Sequence, residues 1–263
     1  MTMMLNNKCA LITGSVRGLG YAIANELAKA GCNVVLHGLE PEEIAQDAAD
    51  ALRQAHGYPV LLSRADLARV DDIEALMHAA QQQFGGIDIV VNNAVVRHFL
   101  PAEELLPTQW DESIAVNLSA AFHTSRLAIP GMRARGWGRI INMSSVYGSS
   151  AAANRIGYVT TKTGLIGMTR AIAIETATSG ITCNAVCPGT VPTPAILERI
   201  ADIARQAGIS QEQATHDYLA ARQPTGRFVA MESVAAMIRF LCSEAGQDIT
   251  GSVLPIDGGW TAA

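Results

Sequence analysis

Short apolar runs alternate with longer amphipathic stretches along almost the whole chain. The apolar runs predict strands at residues 9–13, 33–36, 60–63, 87–92, 139–143, 182–187 and 252–256. The stretches between them have helical spacing and predict helices at residues 21–30, 41–56, 70–84, 110–129, 157–177 and 232–242. Strands that are apolar throughout are typical of a parallel sheet covered by helices on both faces. The pattern therefore predicts an α/β fold with a doubly wound parallel sheet.

The alternation stops at Pro188, where a proline-rich segment leads into polar helical sequence that continues to about Arg222 without a strand. Enzymes of the α/β class often carry substrate-covering segments on the loops that follow the carboxyl ends of strands. We therefore expect residues from about 190 to 222 to form a helical substrate lid, within a single domain spanning residues 1–263.

Composition limits the classes of partner. The chain has 263 residues, of which 49% are apolar and 5% aromatic, so the core must consist mostly of Ala, Val, Leu and Ile. A net charge of -5 gives no basic footprint for nucleic-acid binding. No apolar run approaches the roughly 20 residues of a membrane span, and residues 1–7 lack the features of a signal peptide. We expect a soluble, cytoplasmic protein without nucleic-acid or membrane partners.

The five cysteines, an odd number, are dispersed through apolar segments. Cys183 and Cys187 are close in sequence, but no cluster of histidines accompanies them. Free cysteines in such surroundings are usually small buried hydrophobic side chains. We therefore expect no metal site.

A glycine-rich turn follows the first predicted strand. Gly14, Gly18 and Gly20 are spaced differently from the Gly-x-Gly-x-x-Gly fingerprint of dinucleotide-binding proteins. The turn nevertheless lies between a strand and a helix, where backbone N–H groups can bind a pyrophosphate. This context predicts a Rossmann-type dinucleotide site.

Tyr158 and Lys162 are four residues apart on a predicted helix and so share one helical face. A free tyrosine has a pKa of about 10, but a neighbouring lysine charge favours the phenolate. The pair can then exchange a proton with an alcohol or a ketone near neutral pH. Ser145 precedes Tyr158 by thirteen residues. Together with the glycine turn, these side chains predict an oxidoreductase.

The glycine turn, Ser145 and the Tyr-x-x-x-Lys motif together resemble the short-chain dehydrogenase/reductase family, and the resemblance extends over nearly the whole chain. It implies that Tyr158 is the general acid/base and that Lys162 lowers its pKa and binds the nicotinamide ribose. Ser145, selected over Ser144 by its spacing from the tyrosine, would hydrogen-bond the substrate oxygen. Asn117 would seat a water that relays protons from Lys162, with polar packing inside a helix as the alternative.

The resemblance also implies a set of cofactor-binding residues. Asp66 is the expected contact to adenine, with a loop or N-cap carboxylate as the alternative. Val95 stands where the family has glycine, and a β-branched residue does not easily tolerate a positive φ or a close backbone approach. The predicted cofactor-binding residues are Gly14, Arg17, Gly18, Leu19, Gly20, Asp66, Leu67, Asn93, Ala94, Tyr158, Lys162, Pro188, Gly189, Thr190, Val191 and Thr193.

The choice between NAD and NADP stays open in the sequence. NAD-dependent relatives commonly have an acidic residue at the end of the second strand, where it binds the ribose 2′-hydroxyl. Gly38 stands at that position here, and Arg17 is placed to bind a 2′-phosphate. The group that this chain resembles most closely uses NAD without the acidic residue, so we expect NAD, with NADP as the alternative.

Longer strings resemble the bacterial D-3-hydroxybutyrate dehydrogenases, a group within this family, at residues 117–120, 138–142, 223–224 and 257–262. The resemblance places Arg155 where that group has Lys and Arg97 where it has Gln. Thr190 replaces a Trp, which would enlarge the pocket. The predicted substrate-binding residues are Arg97, Ser145, Tyr147, Arg155, Tyr158, Arg199 and Trp260. We expect a small hydroxy or oxo acid as substrate, bulkier or more strongly anionic than 3-hydroxybutyrate, unless the arginines are solvated surface residues.

Two other functions remain open. An NADPH-dependent 3-oxoacyl thioester reductase is favoured by Arg17 and Gly38, but it would need an open, basic entrance for a carrier arm. A non-catalytic dinucleotide sensor would have no need of an intact catalytic set. Members of the family are typically tetramers built on the tyrosine-bearing helix and the last strand, so we expect a homotetramer.

Overall fold

The computed structural model describes residues 5–263, so the first four residues of the N-terminal segment considered above lie outside the described residues. Seven parallel strands form one sheet in the order β3-β2-β1-β4-β5-β6-β7. The strands are β1 Cys9–Ile12, β2 Asn33–His37, β3 Val60–Ser63, β4 Ile89–Asn92, β5 Gly138–Met143, β6 Ile181–Pro188 and β7 Val253–Ile256. The predicted doubly wound parallel sheet is confirmed.

Helices cover both faces of the sheet. They are α1 Gly18–Lys29, α2 Glu42–His56, α3 Val70–Phe84, α4 Pro107–Ile114, α5 Ala120–Ala134, α6 Ile156–Thr176, α7 Pro194–Ala207, α8 Gln211–Ala220 and α9 Met231–Cys242. Successive side chains of β1 point to opposite faces. Ala10 and Ile12 pack in a core cluster with α1, α2 and α9, whereas Cys9 and Leu11 pack in a second cluster with α3, α5 and α6. All five cysteines are free and buried.

The predicted continuous helix at residues 110–129 is wrong in one respect. The chain leaves the α-helix after Ile114, forms a π-helical turn at Ala115–Ser119 and resumes as α5. The amide of Ala120 donates to the carbonyl of Ala115, which is the wider i→i+5 bond of that turn. Hydrophobic spacing alone does not distinguish such a turn from a regular helix, because it changes the register by a single residue.

The segment that breaks the strand–helix alternation forms a pair of helices, α7 and α8. They have a small core of their own, in which Ile200 and Tyr218 pack with Ala204, Ala214 and Leu219. The helical nature of this segment is confirmed. Its boundaries as a lid and its role as a substrate cover stay proposals.

The carboxyl ends of the strands bring the predicted site residues to one edge of the sheet. β1 lies between β2 and β4. The chain continues from β1 to β2 and β3 on one side, and then crosses to β4 on the other side of β1. Ligands of open parallel sheets bind in the crevice at such a reversal. Within residues 5–263, no helix is long and apolar enough to cross a membrane. The same residues contain no group of three or more His, Cys, Asp or Glu side chains arranged to hold a metal ion.

Candidate active site

Tyr158 and Lys162 lie one turn apart on α6, beside the loop that follows β5. The ammonium of Lys162 is buried and donates to the backbone carbonyl of Met143 at 2.6 Å, which anchors it to the end of the strand. Its Nζ is 5.6 Å from the centre of the Tyr158 ring. The helix therefore holds the phenol and the ammonium side by side, as the sequence spacing predicts.

The surroundings of Tyr158 favour the phenolate. Burial raises the pKa of the phenol, but the charges of Lys162 and Arg97, together with hydrogen bonding from Ser145 and Arg97, lower it more. The net pKa lies below the ordinary value of 10.0. Burial lowers the pKa of Lys162, and the phenol opposite partly offsets this effect. The pair is thus suited to accept and return one proton.

The two serines after β5 have different environments. Ser144 donates its hydroxyl to the carbonyl of Lys162 at 2.8 Å and is committed to holding α6. Ser145 caps a short 3-10 helix at Val146–Gly148, where its hydroxyl accepts from the amide of Tyr147 at 3.2 Å. Ser145 also lowers the pKa of the Tyr158 phenol. Its predicted role as the substrate contact stays a proposal.

Asn117 occupies the π-helical turn and is buried. Its Oδ1 accepts from the amide of Val96 at 2.8 Å, and its Nδ2 donates to the carbonyl of the same residue at 3.0 Å. Asn117 therefore clamps the loop that follows β4, and its predicted role in seating a water stays a proposal. Val95, the residue in place of the family's glycine, does not have a positive φ, since Asn7 and Asn154 are the non-glycine residues of 5–263 that do.

The glycine turn has the shape of a phosphate-binding loop. Gly14 and Gly18 adopt φ values of 63° and 60°, a region in which side chains are strained. An added Cβ at Gly20 would overlap the carbonyl oxygen of Gly14, whereas one at Gly18 would meet open space. Asn93 donates to the carbonyls of Thr13 and Gly14 at 2.9 Å each and so fixes the turn against the end of β4. A dinucleotide pyrophosphate fits this open side of the turn.

Several other predicted cofactor residues already have partners within the chain. Asp66 accepts from the amide of Ala68 at 2.9 Å, which is the loop role considered as its alternative, and Leu67 is buried in the core. The amide of Thr190 donates to the side chain of Gln223, and the amide of Thr193 donates to the carbonyl of Val191 at 2.8 Å. Any cofactor contact from these two threonines would therefore come from their side chains or carbonyls.

Aromatic rings enclose the other side of Tyr158. The Tyr147 ring packs edge-on against Tyr158, with centroids 6.3 Å apart, and against Trp260, with centroids 5.6 Å apart. The guanidinium carbon of Arg155 lies 5.3 Å from the Tyr147 ring and 4.6 Å from the Phe99 ring. These contacts bring the side chain of Arg155 towards the reactive centre.

Two further arginines join this group. Arg97 lies 5.4 Å from the Tyr158 ring and Arg199 lies 5.6 Å from the Phe99 ring, both measured from the guanidinium carbon. All seven predicted substrate-binding residues are therefore near one another. The sequence analysis did not identify Phe99, whose ring packs against Arg155 and Arg199. An aromatic residue two positions after Arg97 was the available signal, but it could not show which side chains would pack on it.

The three arginines bring positive charge to this part of the site. Among residues 5–263, no Asp or Glu forms an ion pair with Arg97, Arg155 or Arg199. Arg155 is half-buried, and burial lowers the pKa of its guanidinium, as does the charge of Arg199. Arg97 and Arg199 are exposed to solvent, so the half-buried Arg155 is the cation of this group whose burial favours pairing with an anion.

Comparison with known proteins agrees with this geometry. A family model described as enoyl-(acyl carrier protein) reductase matches residues 14–261. The D-beta-hydroxybutyrate dehydrogenase of Cupriavidus necator is 42% identical over 98% of this chain and 100% of its own length. The enzyme of the same name from Rhizobium meliloti is 43% identical over 97% of this chain and 99% of its own length.

Among solved structures, the L-sorbose reductase of Gluconobacter frateurii, complexed with NADPH and L-sorbose, matches with a TM-score of 0.95 and 30% identity. The match covers 100% of both chains. The fold, the placement of Ser145, Tyr158 and Lys162, and these relatives lead to one conclusion. The chain belongs to the short-chain dehydrogenase/reductase family and is an oxidoreductase that acts on a hydroxyl group with a nicotinamide coenzyme.

Proposed function

We propose that this enzyme interconverts a small hydroxy acid and the corresponding oxo acid, with NAD as coenzyme. The observation that carries the proposal is the half-buried Arg155 between Phe99 and Tyr147, which has no acidic partner within residues 5–263. The exposed Arg97 lies beside Tyr158, and the exposed Arg199 lies beside Phe99. A substrate carboxylate would supply the missing negative charge. The names of the two bacterial relatives, which refer to a hydroxy acid, support the same class.

The chain's own residues divide the chemistry among them. Ser145 and Tyr158 hold the substrate oxygen, and the phenolate of Tyr158 takes the hydroxyl proton during oxidation and returns it during reduction. Lys162 keeps the phenol acidic and is placed to bind the ribose next to the reactive ring. When bound, the nicotinamide supplies the hydride acceptor or donor. Arg155 and Arg97 orient the acid group, which fixes the carbon that reacts.

The expected substrate is bulkier or more highly charged than 3-hydroxybutyrate. Arg97 and Arg199 provide guanidinium groups beyond the one at Arg155, and each can bind a carboxylate or sulfonate through two hydrogen bonds. Thr190, which takes the place of a tryptophan in the resembling group, leaves a larger space. Helices α7 and α8 follow Thr190 directly and are proposed to cover the bound substrate.

The proposal includes a cytoplasmic homotetramer. Ile174, on α6, is 80% exposed, and β7 forms an edge of the sheet with mostly half-buried residues. An exposed apolar side chain and an uncovered sheet edge are surfaces that a second copy would cover. Light scattering on the purified protein tests the number of subunits.

The alternative is a reductase of 3-oxoacyl thioesters that uses NADPH. The exposed Arg97 and Arg199 could contact a phosphorylated carrier arm. Gln223 argues against an open entrance, because its buried amide ties the segment before α7 to the loop after α8. The Trp260 ring also packs edge-on against the Tyr147 ring, on the side of the site where a carrier arm would enter. The acid substrate is therefore favoured.

A steady-state screen tests the proposal. It compares 3-hydroxybutyrate, longer and dicarboxylic hydroxy acids, neutral secondary alcohols and 3-oxoacyl thioesters, each with NAD(H) and with NADP(H). We expect the highest kcat/KM for a hydroxy acid with NAD. Preferred reduction of thioesters with NADPH would establish the alternative, and absence of turnover with every pair would support a non-catalytic sensor.

A further inference from the structure

A carboxylate lies at the end of β2, although the residue that follows the strand, Gly38, has no side chain. The space next to the Cα of Gly38 is nevertheless filled. An added Cβ at Gly38 would overlap the Oε2 atom of Glu40 and lie 2.7 Å from the Cγ2 atom of Val16. Glu40, two residues further along the chain, therefore folds its carboxylate back to the position that a side chain at residue 38 would occupy.

This carboxylate lies next to the glycine turn. The amide of Gly14 donates to Nδ1 of His37 at 3.1 Å, which joins the turn to the last residue of β2. Val16, also in the turn, packs on Gly38. The turn that is placed to bind the pyrophosphate and the carboxylate of Glu40 therefore belong to one continuous surface at the carboxyl ends of β1 and β2.

Arg17 is held by the same carboxylate. Its Nε lies 3.0 Å from Oε1 of Glu40. The side chain of Glu40 is 20% exposed, whereas that of Arg17 is 72% exposed. The carboxylate thus faces the turn, and the guanidinium covers it from the solvent side. Arg17 is paired with Glu40 before any coenzyme arrives, so a 2′-phosphate that binds Arg17 would lie next to the Glu40 carboxylate.

The adenosine ribose of a dinucleotide passes the end of the second strand in this type of fold, and an acidic side chain there accepts from the 2′-hydroxyl. A 2′-phosphate at the same place would be repelled by the carboxylate. We propose that Glu40 is the residue that selects NAD over NADP, and that Gly38 provides the space for its carboxylate. This inference rests on the proposed use of NAD and adds the residue that determines it.

Dissociation constants for NADH and NADPH, measured by fluorescence titration, test the proposal without relying on turnover. The wild-type protein should bind NADH more tightly. Glu40→Gln keeps the shape of the side chain and removes its charge, so the NADH preference should fall by at least about tenfold, the scale of a hydrogen bond to a charged group. Gly38→Ala should shift the preference in the same direction, because the added methyl group displaces the carboxylate.

Glu42→Gln is the matched control. Glu42 lies in the first turn of α2, and its side chain is 83% exposed and 3.9 Å from Arg64. The Glu42→Gln substitution removes one negative charge close in sequence to Glu40, and it should leave the NADH preference unchanged.

The outcomes separate this inference from the proposed function. A Glu40→Gln variant whose NADH preference stays within about twofold of wild type overturns the inference, and so does an equal change in Glu42→Gln. Turnover of hydroxy acids with NAD would then still stand. A wild-type protein that binds NADPH more tightly than NADH overturns the inference together with the proposed use of NAD.

Discussion

The guanidinium carbon of Arg97 lies 5.4 Å from the centre of the Tyr158 ring, and the ammonium of Lys162 lies 5.6 Å from the same point. The phenol of Tyr158 therefore lies close to two positive charges. A carboxylate bound at Arg97 would cancel part of that charge and raise the pKa of the phenol. Binding of an acidic substrate would therefore strengthen Tyr158 as a base at the moment when it must take a proton.

Arg97→Gln should move the pH profile of kcat/KM for oxidation to higher pH. Oxidation needs the phenolate, so activity rises as pH increases through the pKa of Tyr158. Arg97 lowers that pKa, and its removal raises it. Steady-state rates over a range of pH check this shift, because kcat/KM reports ionisations of the free enzyme. An unchanged profile with a raised KM would confine Arg97 to substrate binding.

Tyr158→Phe should lower kcat by about 100-fold or more, the range typical of a lost general acid or base. Binding of NADH should be nearly unchanged, since the substitution removes one hydroxyl and little volume. Rate measurements and fluorescence titration on the same preparation separate the two effects. Activity within about tenfold of wild type would contradict the catalytic assignment.

Lys162→Ala should lose both activity and coenzyme affinity. The ammonium lowers the pKa of Tyr158, is anchored to the carbonyl of Met143, and is placed to bind the nicotinamide ribose. Titration with NADH and the pH dependence of residual turnover check the two roles separately. Unaltered coenzyme affinity would restrict Lys162 to its effect on the tyrosine.

The stability of the protein should fall in mild acid because of His37. This residue is buried. Its Nδ1 accepts from the amide of Gly14, and its Nε2 lies 2.9 Å from the carbonyl oxygen of Ala65. The neutral imidazole with its proton on Nε2 satisfies both partners. Burial lowers its pKa below the ordinary value of 6.5. The unfolded chain then binds the proton more readily, and stability is lost as pH falls from about 6.5 through the folded pKa.

Thermal unfolding at several pH values measures this loss. His37→Asn is the matched variant, because an amide can still accept from Gly14 but does not titrate. The decrease in melting temperature below about pH 6.5 should be smaller in this variant than in the wild type. Equal decreases in the two proteins would mean that other groups account for the acid sensitivity.

Much of the fold could be predicted because strands buried on both faces of the sheet are apolar throughout, and this pattern is visible in the sequence. The apolar strands and their order of succession with helices determine a parallel sheet, and the carboxyl ends of its strands place the glycine turn, Ser145 and α6 at one edge. The spacing of Tyr158 and Lys162 similarly determines a shared helical face.

Other features depend on contacts that periodicity does not encode. The π-helical turn depends on i→i+5 bonding at Ala115–Ser119, and the clamp between Asn117 and Val96 joins segments that are distant in sequence. Glu40 replaces a missing side chain at Gly38 only because the loop turns back on itself. The packing of Arg155 and Arg199 on Phe99 likewise depends on how the loop after β4, the start of α6 and helix α7 meet.

The kinetic effect of Arg155→Ala on acidic and neutral substrates tests the proposed anion site most directly. Arg155 is half-buried between Phe99 and Tyr147 and has no acidic partner among the described residues. For a hydroxy acid, the variant should have a KM raised by about tenfold or more, because a charge-assisted hydrogen bond is lost from both the bound substrate and the transition state. Neutral secondary alcohols should be poor substrates for the wild type and no worse for the variant. Neutral alcohols that are oxidised as well as hydroxy acids, with equal losses in Arg155→Ala, would contradict the anion site.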